Sequence, residues 1–583
     1  MDAVLEFLRL HYWTVARFIF AALALLFFIQ LARRLLYKPK TSLILAVLDI
    51  NDGVTRLPIT HYEITIGRSR ACDVVIPLAS VSRQHAVLTM TEAGLWRIRD
   101  TGSVGGIFVN GEKPKPATLI GIGDEIVLAG VNMLLMPATR HDAKRISDTR
   151  ADRDDRFWGR LKRRMINADK KGSMVGALML LSLFQIGAFF QFFLTLGEQY
   201  LIPLIVSFGA IFVLPWLYSA LTRLLGVENI TAEIGGFFLT TIGLCATAGA
   251  TPGALYKQLG AIVLGLIIFL TLTLILRNLP LVMRLRPWIG GLSLLILIVN
   301  LLIGSTINGQ RNWVDLGFMT IQPSEFVKIL FIFTGAATLE WLLTTKNLTA
   351  LMLYATACIG LLFVMGDFGT ALIFFFTFIV LIFLTSGDLR AIVLTLLTAA
   401  LGAAMIVSYK PYIVKRFSAW RHVWQHVNDN GGYQQTRALM AIASGGLLGL
   451  GGGKGFLKTI AAADTDLVFA VLCEQWGLIV AGLSVGCYLL FLLSAIRSHR
   501  TTRSSYYVIA ACAAAALFVF QASLNIFGTV DILPITGVTL PFISNGGSSM
   551  AASWGLLSFI AAALNNVRPK ADASVEPVVV GGN

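Results

Sequence analysis

Apolar and polar positions follow different rhythms in successive parts of this chain. From about Trp13 to Leu31 the residues are almost continuously apolar, and Arg33, Arg34, Lys38 and Lys40 follow at once. Residues 43–137 change to short alternating runs, HYEITIG, HAVLTM and GLWRIRD among them, separated by Gly, Asp and Ser. Strand side chains alternate between faces, so this period of two predicts a small β-sandwich. Residues 138–172 lose the alternation, carry both charges and end in RLKRRMINADKK. They read as a linker whose basic end suits anionic headgroups. From Ser173 onward long apolar runs return. On the criterion of about 20 residues per crossing, roughly a dozen spans are predicted, centred near 184, 211, 242, 266, 296, 334, 357, 377, 399, 480, 517 and 556. The predicted class is a polytopic all-α membrane bundle of about 12 spans, with an amino-terminal anchor helix in 1–40, joined to an all-β sandwich. Residues 567–583 read as a tail, polar and unstructured from 571 and without an anchor motif.

Charge orients these elements. Lys and Arg collect on the cytoplasmic side of short loops, so the basic cluster after the first span places the amino terminus outside and residue 40 inside. A cleaved signal peptide would need a small-residue cleavage site, and none follows. Threading from a cytoplasmic residue 172 puts Arg223, Arg277, Lys346, Arg390, Arg497 and Arg568 inside. Segment 409–466 breaks the rule. It threads outside, yet it carries Lys410, Lys415, Arg416, Arg421, Arg437, Lys454 and Lys458 against Asp429, Asp464 and Asp466. A pyrophosphate-bearing ligand accounts for that excess; so does a solvated loop touching lipid headgroups.

Composition narrows the classes further. Only 14% of the 583 residues are charged, against about 25% in ordinary soluble domains. The net charge of +15 therefore belongs with topology and anionic lipid, not with nucleic acid. Five of six cysteines lie in apolar runs and Cys72 in the sandwich, a scatter that fits buried thiols better than disulfides or a metal site.

Ionisable groups inside apolar runs are costly and face a cavity or one another. Glu325 and Lys328 sit three apart on one helix face, Asp367 opens a span, and Glu474 lies about two turns inside another. A Glu325–Lys328 pair that only staples helices is an equal reading. The glycines of 445–455 and Gly546-Gly547 let backbone approach a ligand closely. GGGKG lacks the spacing and preceding strand of a nucleotide loop, and NGGSS lacks the order of a nucleophile elbow. Asp464 and Asp466, in DTDLVFAV, stand at the mouth of a span. Like-charge repulsion would raise the proton affinity of Asp466; alternatively the two would hold a divalent cation, Mg or Mn.

Two family resemblances add to this. TIGRSRACDVVIPLASVSRQHAVL with RDTGSVGGIFVNGEKP resembles the forkhead-associated (FHA) domain, a reader of phosphothreonine peptides, through Gly67-Arg68, Ser82-Arg83, His85 and Gly106 to Gly111. It implies a cytosolic sandwich in which Arg68, Ser82 and Arg83 hold the phosphate and His85 braces the loop. The family usually has Asn where Gly105 stands. NGQRNWVDLGFMTIQPSEFVKILF, GDFGTALIFF, GGYQQTRALMAIASGGLLGLGGGKG leading into DTDLVFAVLCEQWGL, and LPITGVTLPFISNGGSS resemble the SEDS family (shape, elongation, division and sporulation), in order over about 305–566. Residues 173–304 would supply additional spans before that core.

The SEDS resemblance implies an inverting peptidoglycan glycosyltransferase that polymerises lipid II at the outer membrane face. Asp466 would be the catalytic base, with Arg311, Trp313, Glu325, Lys328, Arg437 and Lys454 binding substrate. A class B penicillin-binding protein would be its partner, and the FHA ligand a phosphothreonine protein, with Thr149 of the linker as a cis alternative. Departures surround the site: Ala461, Ala462 and Asp464 stand for Pro, Glu and His of the family motif, Arg437 for Gln and Asn545 for Tyr. The rival functions are a flippase or transporter of a lipid-linked sugar and a catalytically inactive cell-wall scaffold. An outer-face carboxylate favours catalysis, because a flippase needs no base there.

Overall fold

Two separate hydrophobic cores form in the computed structural model, one in the sandwich and one in the helical bundle. The structure describes residues 2–35, 42–50, 55–59, 63–69, 72–90, 95–113, 118–139, 173–225, 227, 229–307, 310–315, 317, 320–339, 345–386, 420–428, 432–498, 502, 504–565 and 578–580. The linker from residue 140, Thr149, the span centred near 399, and Lys410, Lys415 and Arg416 lie outside these residues.

The alternating runs become strands β1 to β11: Ser42–Ile44, Ala46–Ile50, Thr55–Ile59, Glu63–Gly67, Val74–Val75, Ala86–Met90, Trp96–Asp100, Ile107–Val109, Thr118–Ile120, Glu125–Leu128 and Val131–Met136. Ten of them, all but β1, form two five-stranded sheets, ordered β3-β2-β11-β10-β8 and β5-β4-β6-β7-β9. In β11, Val131, Met133 and Leu135 are buried while Asn132 and Leu134 face out, the alternation expected of a half-buried strand. The inner faces meet in a core that includes Leu48, Ile66, Leu88, Ile98, Ile126 and Leu135. The tail differs from its unstructured expectation in one place. Val578–Val580, three β-branched residues suited to a strand, pair antiparallel with β1.

The helices are α1 (Asp2–Leu35), α2 (Met174–Thr195), α3 (Leu201–Leu224), α4 (Thr231–Ala250), α5 (Leu255–Leu276), α6 (Leu279–Ile303), α7 (Pro323–Leu339), α8 (Thr345–Val364), α9 (Phe368–Ser386), α10 (Tyr433–Gly445), α11 (Val468–Ser498), α12 (Ser505–Thr529) and α13 (Gly547–Asn565). Eleven of the twelve predicted span centres fall on them. Nine helices among the described residues are long and apolar enough to cross a membrane. Apolar surroundings offer backbone groups no partners, so the chain satisfies them within helices.

Helix α4 runs through the middle, with residues 231–249 all buried. Small residues let its neighbours close up: an added Cβ at Gly265 of α5 would crowd the Ala551 backbone and Trp554 of α13 at 3.0–3.1 Å. The anchor helix α1 is seated in the bundle rather than tethered to it. Its Trp13, Phe20, Phe27 and Leu31 are buried among α2, α4 and α11. At one end Arg34 Nε donates to Thr231 Oγ1 at 3.0 Å; at the other Trp13 Nε1 donates to the Gly449 carbonyl at 3.0 Å.

The sandwich sits at the Thr231 end. Glu63 of β4 accepts from the Ser505 amide at 3.0 Å and the Ser505 hydroxyl at 2.9 Å, capping the first turn of α12. Burial raises the Glu63 carboxyl above its ordinary value, and these two hydrogen bonds oppose the shift. A carboxylate at a helix amino terminus also meets the positive end of the helix dipole. Glu63→Ala is expected to leave the sandwich folded but weaken its seat by roughly 1–3 kcal/mol. Hydrogen exchange at the Ser505 amide should accelerate; unchanged exchange would show that the contact holds nothing.

Candidate active site

The far end of the bundle, where α4 finishes, holds the turn that carries Asp464 and Asp466. Thr251 closes α4 there, whereas Thr231 opens it beside Arg34 at the sandwich end. The sandwich and the Asp466 turn therefore occupy opposite ends of one buried helix.

The turn carrying Asp466 winds on a single carbonyl. The Ala462 oxygen accepts from the amides of Thr465, Asp466 and Leu467 at 3.3, 3.0 and 3.2 Å. Ala462 itself takes a left-handed φ of 59°, an uncommon state for a residue with a Cβ. Three consecutive carbonyls of the turn are then held from outside. Asp464 O accepts from the Asn545 amide at 2.8 Å, Thr465 O from Ser544 Oγ at 2.7 Å, and Asp466 O from Asn525 Nδ2 at 2.9 Å. The half-buried Asp466 side chain lies beside Gly537, where an added Cβ would stand 3.7 Å from Oδ2. A glycine with φ 70° keeps that approach open.

Helix α12 organises the ground beneath. Asn525 Nδ2 also donates to Val538 O at 2.7 Å, and one turn away Gln521 Nε2 donates to Thr539 O at 2.9 Å. Gln521 Oε1 accepts from Lys328 Nζ at 2.9 Å, and Lys328 pairs with Glu325 at 2.7 Å. Lys328 is 2% and Glu325 5% exposed, so this pair is a buried brace below segment 537–539. A second knot forms at Asp367, whose Oδ2 accepts from Asn312 and Gln322, each at 3.1 Å, and whose Oδ1 accepts the Thr370 amide at 3.2 Å. It ties the strand Gln310–Asp315 to the starts of α7 and α9.

The glycine-rich run is a backbone ladder against α11. Leu450 N and Gly451 N donate to the carbonyls of Glu474 and Gln475, while Leu478 N and Ile479 N donate to Gly446 and Leu447. The ladder interrupts α11 at Gly477, with φ 82° and ψ 165°, where an added Cβ would stand 2.3 Å from the Leu447 oxygen. Glu474 faces this ladder and not an open cavity; its two oxygens accept the Phe456 and Leu457 amides at 2.9 and 3.3 Å.

The other predicted contacts are spread out. Arg437 lies over the Tyr433 ring at 4.5 Å and donates to Thr436 Oγ1. Lys454 is exposed in the glycine ladder. Arg311 is exposed, with bonds to the Leu301 and Met365 carbonyls, and Trp313 is half-buried in the same strand. Asp464 turns Oδ2 onto Thr251 and Asn545. Among the described residues no three His, Cys, Asp or Glu side chains gather into a metal site. All six cysteines are buried and unbridged. Thr251, Gln521, Asn525 and Gly537 escaped the reading of the sequence. Gln521 and Asn525 were detectable as polar residues four apart in an apolar span, stacked on one helix face.

In the sandwich Arg68, Ser82 and Arg83 do come together. Arg68 N donates to Ser82 O and Ser69 N to Arg83 O, each at 2.9 Å, and both arginine side chains are exposed. His85 is buried, accepts from the Ser82 amide at Nδ1 (3.1 Å) and faces the Gly106 carbonyl with Nε2 at 2.9 Å. Those partners require the Nε2–H tautomer, which braces the loop as expected. Gly105 abuts Ala129: an added Cβ would stand 2.7 Å from the Ala129 Cβ, so a side chain there must displace its neighbour.

Residues 226–568 match the family model for cell cycle proteins of the FtsW, RodA and SpoVE type. The chain belongs to this family. Residues 64–129 match the FHA domain model. Among curated relatives, a probable peptidoglycan glycosyltransferase FtsW from Coxiella burnetii is 35% identical over 270 residues, 45% of this chain and 72% of its own. A protein of the same name from Halorhodospira halophila is 31% identical over 365 residues, 59% of this chain and 90% of its own. The crystal structure of the rod shape determining protein RodA of Thermus thermophilus superposes with a TM-score of 0.44 at 25% identity, covering 57% of this chain and 95% of that one. The matched stretch takes in α4, α5 and α6 ahead of the four motifs, and with them Thr251. This FtsW/RodA-type chain is thus a multi-pass membrane protein with an FHA sandwich at one end of the bundle.

Proposed function

We propose that this protein is a peptidoglycan glycosyltransferase that polymerises lipid II at the outer face of the cytoplasmic membrane, with Asp466 as its general base. The observation that carries the reading is the Asp466 turn. Its carboxylate stands beside Gly537 on a backbone held at three successive carbonyls, as a base needs if it is to meet one hydroxyl repeatedly in the same geometry. In the reaction the acceptor's 4-hydroxyl oxygen attacks the anomeric carbon of the donor sugar. Asp466 takes the hydroxyl proton, the carbon–oxygen bond to the lipid pyrophosphate breaks, and the configuration inverts. Charge then gathers on the leaving pyrophosphate. Arg437 of α10 and Lys454 of the glycine ladder would answer it as cationic donors, with Arg311 and Trp313 orienting the substrate from their strand. Glu325 and Lys328 act below, by setting segment 537–539. A class B penicillin-binding protein is the proposed crosslinking partner.

In this reading the FHA sandwich faces the cytoplasm and binds a phosphothreonine protein through Arg68, Ser82 and Arg83. Arg68→Ala is expected to weaken binding of a phosphothreonine peptide by roughly 10-fold or more, since a charge-assisted hydrogen bond contributes about 1.5–3 kcal/mol. Isothermal titration of the full chain checks this, and equal affinity in the variant removes Arg68 from the site. The reaction itself is tested by incubating purified full-length protein with labelled lipid II and Mg or Mn, alone and with candidate transpeptidases. Glycan ladders on a gel are expected; their absence under every partner would point to a different lipid-linked substrate or a scaffold.

A further inference from the structure

Thr251, Asp464 and Asn545 come from three distant parts of the chain: the end of α4, the turn before α11 and the segment before α13. They meet on one oxygen. Asp464 Oδ2 accepts from Thr251 Oγ1 at 2.6 Å and from Asn545 Nδ2 at 2.7 Å, while Asn545 Nδ2 also reaches Thr251 Oγ1 at 3.1 Å. The Asn545 amide closes a second link on the Asp464 carbonyl at 2.8 Å. The donor count is satisfied, since the single hydroxyl hydrogen of Thr251 goes to Asp464 and the two amide hydrogens of Asn545 divide between its neighbours.

We propose that Asp464, Asn545 and Thr251 form a positioning clamp for the Asp466 carboxylate, and that Asp464 acts by position and not as a second base. The inference rests on the reading of Asp466 as the base. Two arguments support it. First, Asp464 Oδ2 accepts an O–H and an N–H from two other segments of the chain, so its side chain ties the turn to the end of α4 and to the segment before α13. Second, the clamp adjoins the other anchors of the turn. Ser544, next to Asn545, holds Thr465 O, and Gln258 of α5 donates in turn to Ser544 O at 3.4 Å. Loosening the Asp464–Asn545 side-chain link therefore weakens the hold on the turn from the α13 side, while Asn525 still holds it from α12.

The test is a cycle on the full-length protein in detergent: Asp464→Ala, Asn545→Ala, the two combined, and Asp464→Asn. Asn keeps an acceptor oxygen for both donors and loses the charge. A misplacement of about 1 Å costs on the order of 100-fold in rate, so each alanine variant is expected to lower kcat by roughly 10- to 100-fold. KM should move less than about threefold, because the loss falls on the transition state. The double variant should fall no further than the worse single one, as residues of one unit do. Asp464→Asn should recover most of what Asp464→Ala loses. Additive losses, or an Asn variant as inactive as the alanine one, overturn the clamp. A second readout needs no activity. Exchange of the amide hydrogens of 464–467 should quicken in both alanine variants and stay near wild type in Asp464→Asn; unchanged exchange in Asp464→Ala also overturns it. If the wild type makes no glycan, the polymerase reading fails by itself and hydrogen exchange still decides the clamp.

Discussion

Asp466→Asn is expected to abolish glycan synthesis while leaving the protein folded. The carboxamide matches the carboxylate in size but cannot take the acceptor's proton, and loss of a general base costs roughly 100- to 10,000-fold in rate. Folding should survive because the bonds that shape the turn run through the backbone: the Asp466 amide to Ala462, and its carbonyl to Asn525. Labelled lipid II resolved on a gel reads the outcome, with melting in detergent as the folding control. Wild-type ladders that vanish in a normally melting variant assign the base. Equal ladders from both would keep the polymerase and move the base elsewhere.

The other large effect is structural. Lys328→Met would leave Glu325 charged, buried and stripped of its 2.7 Å partner. Breaking one side of a buried ion pair costs about 3–5 kcal/mol, because the surviving charge keeps its desolvation penalty without its attraction. Gln521 Oε1 would also lose its donor, and Gln521 supports Thr539, two residues from Gly537. A marked fall in the melting temperature is therefore expected, with activity falling alongside it. Glu325→Gln combined with Lys328→Met removes both charges and should melt well above the single variant. If the single and the double melt alike, the pair does not carry the brace.

These two residues mark how far the sequence was legible. Lys328 and Glu325 were visible as charges in an apolar run, since lipid and protein interiors both penalise them. Both substrate contact and a mutual pair were open readings, and the structure shows them paired and buried. Asp466 was visible through its motif and its position at the mouth of a span. Asp464 carried two readings, base neighbour or cation ligand, and neither anticipated Thr251, which lies 213 residues away. Glu474 looked like a cavity group and instead caps the glycine ladder, because the backbone amides of 456 and 457 converge on it.

By itself the sequence determined the membrane class, the sandwich, most of the spans and the grouping of Arg68, Ser82 and Arg83. The grouping of the three FHA residues came from the family resemblance; the others follow from periodicity or local spacing, which report how one element divides its own faces between apolar and polar surroundings. Tertiary structure alone decided the break of α11 at Gly477, the capping of α12 by Glu63, the Gln521–Asn525 supports and the three-way meeting on Asp464. Hydrogen bonds act over about 3 Å of space whatever the separation along the chain, and a local pattern contains no term for the partner that folding brings to it.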